Sequence, residues 1–194
     1  TRVRSSAASD VYKRQGWTAL ENQKAMARAA IQRDTAPGNG EGVAEACEAA
    51  LRVLPLRTSE FPPLFAEVVE CAFAAGKPEA VEGLLSAVDQ ITPAELIPLL
   101  DAEATRARAR LAAHHGDLEA AHQHFPRAIA LFHELETPFY LARAQVEYAE
   151  VLAHDGREDA TAAKLRGEAE ATFERLGAKP WLERARQIEP AVVG

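Results

Sequence analysis

Apolar residues recur along most of the chain at the spacing of one face of an α-helix. No segment alternates apolar and polar residues with β-branched side chains over the length of a strand, so the pattern predicts helices and no sheet. The predicted helices cover Trp17–Arg33, Val43–Leu54, Pro62–Ala75, Pro78–Gln90, Pro93–His115, Leu118–Leu135, Pro138–His154, Asp159–Leu176 and Pro180–Ile188. A Pro/Gly-rich loop is predicted over Asp34–Gly42. The chain is therefore predicted to be all-α, with four helical hairpins and a closing helix.

Four glycines each open the same short phrase, at spacings of 34, 40 and 40 residues. The phrase is Gly-x-x-Asp/Glu-Ala, followed by Leu or Phe nine residues after the glycine, and it begins at Gly42, Gly76, Gly116 and Gly156. A period of this size with glycine at the turn is typical of stacked helix-turn-helix units. The phrase predicts a helical repeat protein.

A second internal similarity does not depend on these glycines. Phe132-x-x-Leu135 followed by Tyr140-Leu141-Ala142-Arg143-Ala144 reappears 41 residues later as Phe173-x-x-Leu176 followed by Trp181-Leu182-Glu183-Arg184-Ala185. The extra residue fits a loop difference of one residue between the two copies. One helix is therefore predicted to end at each leucine, and a new one to start near the proline that follows.

Helix starts are marked by threonine followed by proline. Thr92-Pro93 with Glu95, and Thr137-Pro138, have the order of an N-cap residue and a proline at the first helical position. Both pairs are therefore predicted to begin helices.

Composition and charge narrow the class of protein. The chain has 194 residues, of which 47% are hydrophobic and 6% aromatic, and its apolar mass is largely Ala and Leu, as in close-packed helices. A net charge of −7 and a pI near 5.4 argue against direct binding to nucleic acid, which needs a basic face. The sequence contains no run of about 18 apolar residues and no signal segment. We expect a soluble, cytoplasmic protein that does not bind a membrane.

The segment Thr1–Gln15 stands apart from the repeats. It has no helical period, is rich in Ser and basic residues, and begins without Met. We interpret it as a disordered tail at the edge of a longer protein or as a sequence artefact of the adapter read-through kind, with a basic binding arm as the alternative. The repeat domain is accordingly predicted over Gly16–Gly194.

The third copy of the glycine phrase resembles a known repeat. Gly116-Asp117-Leu118-Glu119-Ala120-Ala121, then Phe125 and Ala128, is similar to the second half of the tetratricopeptide repeat. The stretch from Ala104 to Ile188 further resembles the C-terminal repeat region of large bacterial multidomain regulators. Those regulators place a signalling ATPase ahead of the repeats, and some carry a cyclase or a LuxR-type DNA-binding domain. The sequence departs from the repeat pattern at Thr161, Glu168 and Pro126.

This resemblance implies a right-handed superhelix whose concave face is lined by the first helix of each hairpin. The residues that it places on that face are Glu67, Glu70, Arg106, Arg110, His114, Arg143, Glu147, Glu150 and His154. The implied partner is a protein or peptide segment, for which the ATPase module of the same regulator is one candidate. The Lys/Asn set with which some members of the family hold a peptide carboxylate is absent.

Arg106 and Arg110 lie one helical turn apart on this face. One hypothesis is that they grip a carboxylate or phosphate of the partner. The alternative is that they pair with Glu103, Glu147 or Glu150, at a gain of only a few tenths of a kcal/mol per pair.

Other candidate chemistry has simpler explanations. Gly38-Asn39-Gly40-Glu41-Gly42 could hold a phosphate at a helix N-terminus, but a flexible loop is favoured because Glu41 repels anions. Cys47 and Cys71 are interpreted as buried thiols, with a disulfide as the alternative. Glu67 and Glu70 share one helix face, which a solvated surface explains better than acid–base catalysis.

The histidines are candidate metal ligands, but their spacing argues against that role. His114-His115 and His122-x-His124 lack the spacing of three or four residues that a helical metal pair needs. His114, His115 and His154 are therefore expected to stabilise the last turns of helices.

We predict a protein-interaction or sensor scaffold, not an enzyme, with no catalytic residue, metal or cofactor. The alternatives are an enzyme with a His/Glu site in the concave groove and a purely structural spacer.

Overall fold

The computed structural model describes residues 61–156 and 160–188. Every regular element in those ranges is an α-helix, so the predicted all-α class is confirmed there. In chain order the helices are α1 (Phe61–Ala74), α2 (Glu79–Val88), α3 (Pro98–His114), α4 (Leu118–Glu134), α5 (Pro138–His154), α6 (Ala160–Leu176) and α7 (Lys179–Arg186). The predictions for Thr1–Gln15, Trp17–Arg33, Asp34–Gly42 and Val43–Leu54, which includes Cys47, lie outside the described residues.

The described residues fall into two compact units. The first, which ends at Ile97, contains α1 and α2. These two helices contact each other and are joined by a tight turn at Gly76. The second begins at Pro98 and contains α3 to α7, in which each helix packs against the next along the chain. None of the helices in the described ranges is both long and apolar enough to cross a membrane. The single repeat domain over Gly16–Gly194 stays a prediction.

The core of the second unit is built from phenylalanines surrounded by alanines. Phe132 is fully buried with Ala102, Ala128 and Ala144, and Phe173 is fully buried in the next cluster along the chain. These small side chains let the helix backbones approach closely, so each phenylalanine ring fills the space between helices.

The internal similarity of 41 residues is a structural equivalence. Phe132 stacks on Tyr140 with 5.9 Å between ring centroids, and Phe173 stacks on Trp181 at 6.0 Å. In both copies a phenylalanine near the end of one helix stacks on the third residue of the next helix, which fixes how successive hairpins pack.

The predicted start of α3 is wrong by five residues, because the helix begins at Pro98 and not at Pro93. The backbone N–H groups of Glu95 and Leu96 donate to the Thr92 carbonyl, and the Thr92 hydroxyl donates to the Glu95 carboxylate at 2.7 Å. This turn is isolated because a helix running through it would place Pro98 in its interior, where proline has no N–H to donate. Pro98, and not Pro93, is therefore the proline in the first turn of α3.

The starts of α4 and α5 are capped differently, and the second differs from the prediction. Asp117 is the N-cap of α4, and its side chain accepts a hydrogen bond from the Ala120 N–H at 3.0 Å. Thr137 occupies the predicted N-cap position of α5, followed by Pro138, but its hydroxyl donates instead to the Phe132 carbonyl at 3.1 Å. Thr137 therefore caps the end of α4 while its backbone starts α5.

The turn glycines end helices in the left-handed conformation. Gly116 has φ of 78°, its N–H donates to the Ala113 carbonyl, and the next N–H, that of Asp117, donates to the Ala112 carbonyl at 2.9 Å. This pair of bonds satisfies carbonyls that the end of α3 would otherwise leave open. The same conformation occurs at Gly76, Gly156, Gly177 and the non-glycine residue Glu136.

Two glycine-to-alanine changes should shift stability in opposite directions. Gly116→Ala forces a side chain into the left-handed region and should lower the free energy of unfolding by about 1 kcal/mol. Gly167→Ala, within α6, should raise it by about 0.5 to 1 kcal/mol because alanine is the better helix former. A Cβ atom at either position meets no other atom within 4 Å, so backbone conformation accounts for the difference. Urea unfolding measures both; a shared sign would contradict the turn geometry.

Candidate functional site

The residues predicted to bind a partner lie on the first helices of successive hairpins. Those on α3 are Arg106, Arg110 and His114, and those on α5 are Arg143, Glu147, Glu150 and His154. The helices α3 and α5 contact each other directly, as do α5 and α7. Glu67 and Glu70 lie on α1, in the other unit, and Glu70 is buried, so the solvated-surface interpretation is wrong for that residue.

Arg106 lies at the centre of a buried ionic cluster between α3 and α5. Its side chain is fully buried; the Nε–H donates to Glu103 Oε2 at 2.8 Å, and Nη1 donates to both Glu147 oxygens at 2.8 and 2.9 Å. The Arg106–Glu147 contact joins residues 41 positions apart and ties the two helices together. A partner in solution cannot reach Arg106 unless this cluster opens.

Arg110 joins the same cluster from the next turn of α3. Its Nη1 atom lies 3.3 Å from Glu147 Oε1, and its side chain is 12% exposed. The pairing of Arg106 and Arg110 with Glu103 and Glu147 is thus observed. The expected gain of a few tenths of a kcal/mol applies to exposed pairs. Arg106 and Glu147 are buried, so removing either one would leave an uncompensated buried charge, which costs more.

The burial of this cluster follows from the alanines beside it. Ala102, Ala104, Ala107 and Ala109 of α3 are all fully buried. Because their side chains are short, neighbouring helices come close to α3 on more than one side. Charged residues between these alanines are enclosed as well, and they remain stable there only when paired.

The Glu150 carboxylate faces α7 and accepts two hydrogen bonds from Arg184. Nε and Nη2 of Arg184 each lie 2.7 Å from a different Glu150 oxygen, the bidentate arrangement in which guanidinium and carboxylate fit best. Both side chains are 34% exposed, unlike Arg106 and Glu147. Sequence reasoning missed Arg184, although the internal similarity makes it the equivalent of Arg143.

Arg143 is almost fully buried against aromatic rings. Its guanidinium carbon lies 4.9 Å from the centroid of Trp181, and the rings of Phe139 and Tyr140 are within 6 Å. Arg184 approaches the same tryptophan, also at 4.9 Å. Cations over aromatic faces are attracted by the ring quadrupole, so Arg143 holds α5 and α7 together.

An open groove of about 310 Å³ lies between α5 and α7. Its lining residues are Glu150, Ala153, His154, Arg184, Gln187 and Ile188. Glu150 and His154 were both predicted to face a partner, and the structure brings them together here. His154 is exposed in the last turn of α5, and His114 is exposed in the last turn of α3. Both lie where the sequence predicts them, at helix ends whose dipole stabilises a positive charge.

Within residues 61–156 and 160–188, no group of three or more His, Cys, Asp or Glu side chains is arranged to hold a metal. His122 Nε2 lies 3.2 Å from Asp155 Oδ2. Burial lowers the pKa of His124, the Arg108 and Arg127 guanidiniums lower it further, and Asp117 opposes them. Cys71 is a buried thiol, as predicted, 4.0 Å from Glu67 Oε1.

Comparisons of the chain with protein-family models, curated proteins and solved structures gave no match.

Proposed function

We propose that this chain is a tetratricopeptide-like array of helical hairpins that acts as a protein-interaction or sensor segment. The observation that supports the proposal is the direct contact of α3 with α5 and of α5 with α7, in addition to the packing of each helix on its neighbours in sequence. First helices that contact in series form a continuous surface, and repeat proteins bind their partners on such surfaces. The proposed partner is a protein or peptide segment.

The resemblance noted above extends this proposal to the place of the chain in a larger protein. We assign the repeats to the C-terminal end of a bacterial signalling regulator, and the ATPase module of that regulator is the first partner to test. The array would then respond to a protein contact and transmit it to the regulator.

The candidate residues divide into a framework and a contact surface. Arg106, Arg143 and Glu147 are at least 96% buried, so we assign them to the framework that fixes α5 against its neighbours. His114 and His154 are exposed, and Glu150 is partly exposed at the groove between α5 and α7. We therefore place the partner along the exposed ends of α3 and α5, beside that groove.

Site-specific photo-crosslinking in the native host tests this placement. A photoreactive phenylalanine at His114 or His154 should capture a defined protein, identified by mass spectrometry, and excess unlabelled chain should compete for it. The matched controls are Gln123 on α4 and Lys164 on α6, which are also exposed but lie on the second helices. Equal capture at all four positions would contradict the placement. No capture at His114 and His154 would favour a structural spacer.

A further inference from the structure

The two joints between successive first helices are built differently. At the α3–α5 joint the ion pair is buried, with Arg106 fully buried and Glu147 2% exposed. At the α5–α7 joint Glu150 and Arg184 are each 34% exposed. Solvent and dissolved ions screen exposed pairs strongly and buried pairs little. The ion pair of the second joint therefore depends more strongly on ionic strength than that of the first.

A second exposed pair also holds α7. Arg186 near the end of α7 pairs with Glu174 of α6, and both side chains are more than half exposed. A further contact fixes the residue after the helix, since Arg166 Nη1 donates to the Ile188 carbonyl at 3.0 Å. These polar contacts add to the packing of Trp181 against Phe173 and Arg143 in attaching this eight-residue helix.

The apolar contact of α7 is confined to one side. Ala185 is fully buried, whereas Trp181 and Leu182 are partly buried. Glu183 and Gln187 are exposed at the positions where α5 has the buried residues Ala142 and Val146, so the other side of α7 faces water. Because Ala185 is the one buried residue of α7, we expect this helix to open more readily than α3 to α6.

We infer that α7 is a salt-sensitive latch, meaning that Lys179–Arg186 detaches and rebinds as one element while α3 to α6 stay folded. The chain enters the latch through Gly177 (φ 68°) and Ala178, a junction that can change direction without unfolding α6. Detachment removes Trp181 from the face of Phe173 and uncovers the apolar surface of α5 and α6 that surrounds it. The Glu150–Arg184 and Glu174–Arg186 pairs set how often this happens.

Hydrogen exchange of the full chain, followed by mass spectrometry, tests the latch. Raising NaCl from about 0.01 M to about 1 M shortens the Debye length from about 30 Å to about 3 Å. Exchange in a peptide covering 179–188 should then quicken by about threefold, the effect expected from losing exposed ion pairs. Exchange in α3 and α5 should stay unchanged. Glu150→Gln at low salt should give the same local increase and should reduce the response to salt.

Fluorescence gives an independent readout. The chain has tryptophan at Trp17 and Trp181, so Trp17→Phe leaves Trp181 as the reporter. Acrylamide should quench Trp181 more strongly at high salt and in the Glu150→Gln variant, because the ring loses its cover by Phe173 and the two arginines.

The control for charge removal elsewhere is Lys164→Gln, which breaks an exposed pair with Glu168 on α6, where Lys164 Nζ lies 3.8 Å from Glu168 Oε1. This variant should leave both readouts unchanged. Salt-independent exchange over 179–188 would overturn the latch, because α7 would then be attached by apolar contacts. An increase in exchange spread equally over α3 to α6 would also overturn it, because that result means global unfolding.

Discussion

Glu147→Gln should lower the free energy of unfolding by about 3 kcal/mol, the cost of removing one partner from a buried ion pair. The substitution keeps the shape of the side chain but removes the charge that Arg106 and Arg110 both contact. The guanidinium of Arg106 is fully buried and cannot turn to water for compensation. Urea unfolding of the full chain, followed by circular dichroism, measures the change as a lower midpoint with an unchanged slope.

Glu150→Gln is the matched control for this experiment. Glu150 lies on the same helix, one turn away, and also binds an arginine of a neighbouring first helix, but both partners are 34% exposed. Its replacement should cost less than about 1 kcal/mol, the usual range for exposed pairs. Equal costs at Glu147 and Glu150 would show that burial does not set the strength of these pairs.

Helix positions were predicted well where a local signal marks the end. The predicted start of α4 at Leu118 and the predicted bounds of α5 at Pro138 and His154 agree with the structure. Asp117 and Pro138 mark the two starts, and the left-handed Gly156 follows the end of α5. The predicted start of α3 was wrong because Thr92-Pro93 has the order of an N-cap and a first-turn proline, whereas Pro98, which would interrupt a helix begun at Pro93, marks the actual start. The left-handed turn at Glu136 was not predicted, because the repeated phrase marks such turns by glycine and Glu136 adopts this conformation without being one.

The chemistry of the candidate face could be predicted only in part. Carboxylate pairing of Arg106 and Arg110 was one of the two interpretations that the sequence left open, and the structure shows this pairing with Glu103 and Glu147. The sequence did not indicate their burial, because a charged pair three residues apart looks the same on an exposed and on an enclosed helix. Enclosure comes from helices that pack on α3, as α4 and α5 do at Ala102 and Ala109, and these contacts link distant parts of the chain.

The repeated packing of the second unit makes Phe132→Ala the other substitution with a large effect. Phe132 is fully buried, and its ring stacks on Tyr140 among alanines of three helices. Losing the ring should cost about 3 to 5 kcal/mol, the range for deleting a buried aromatic side chain. The alanines around it cannot fill the cavity, since they have no further side-chain atoms to rotate into it.

Phe173 and Leu176 of α6 provide the comparison. Phe173 is the structural equivalent of Phe132, but the helix that covers it is α7, so a shift of this short helix can close part of the cavity. We expect Phe173→Ala to cost less than Phe132→Ala for that reason. Leu176→Ala should cost less than about 1 kcal/mol because the side chain is 43% exposed. Calorimetry and urea unfolding rank the three variants. A larger cost at Phe173 than at Phe132 would mean that α7 is as firmly held as the inner helices, against the latch as well as against this ranking.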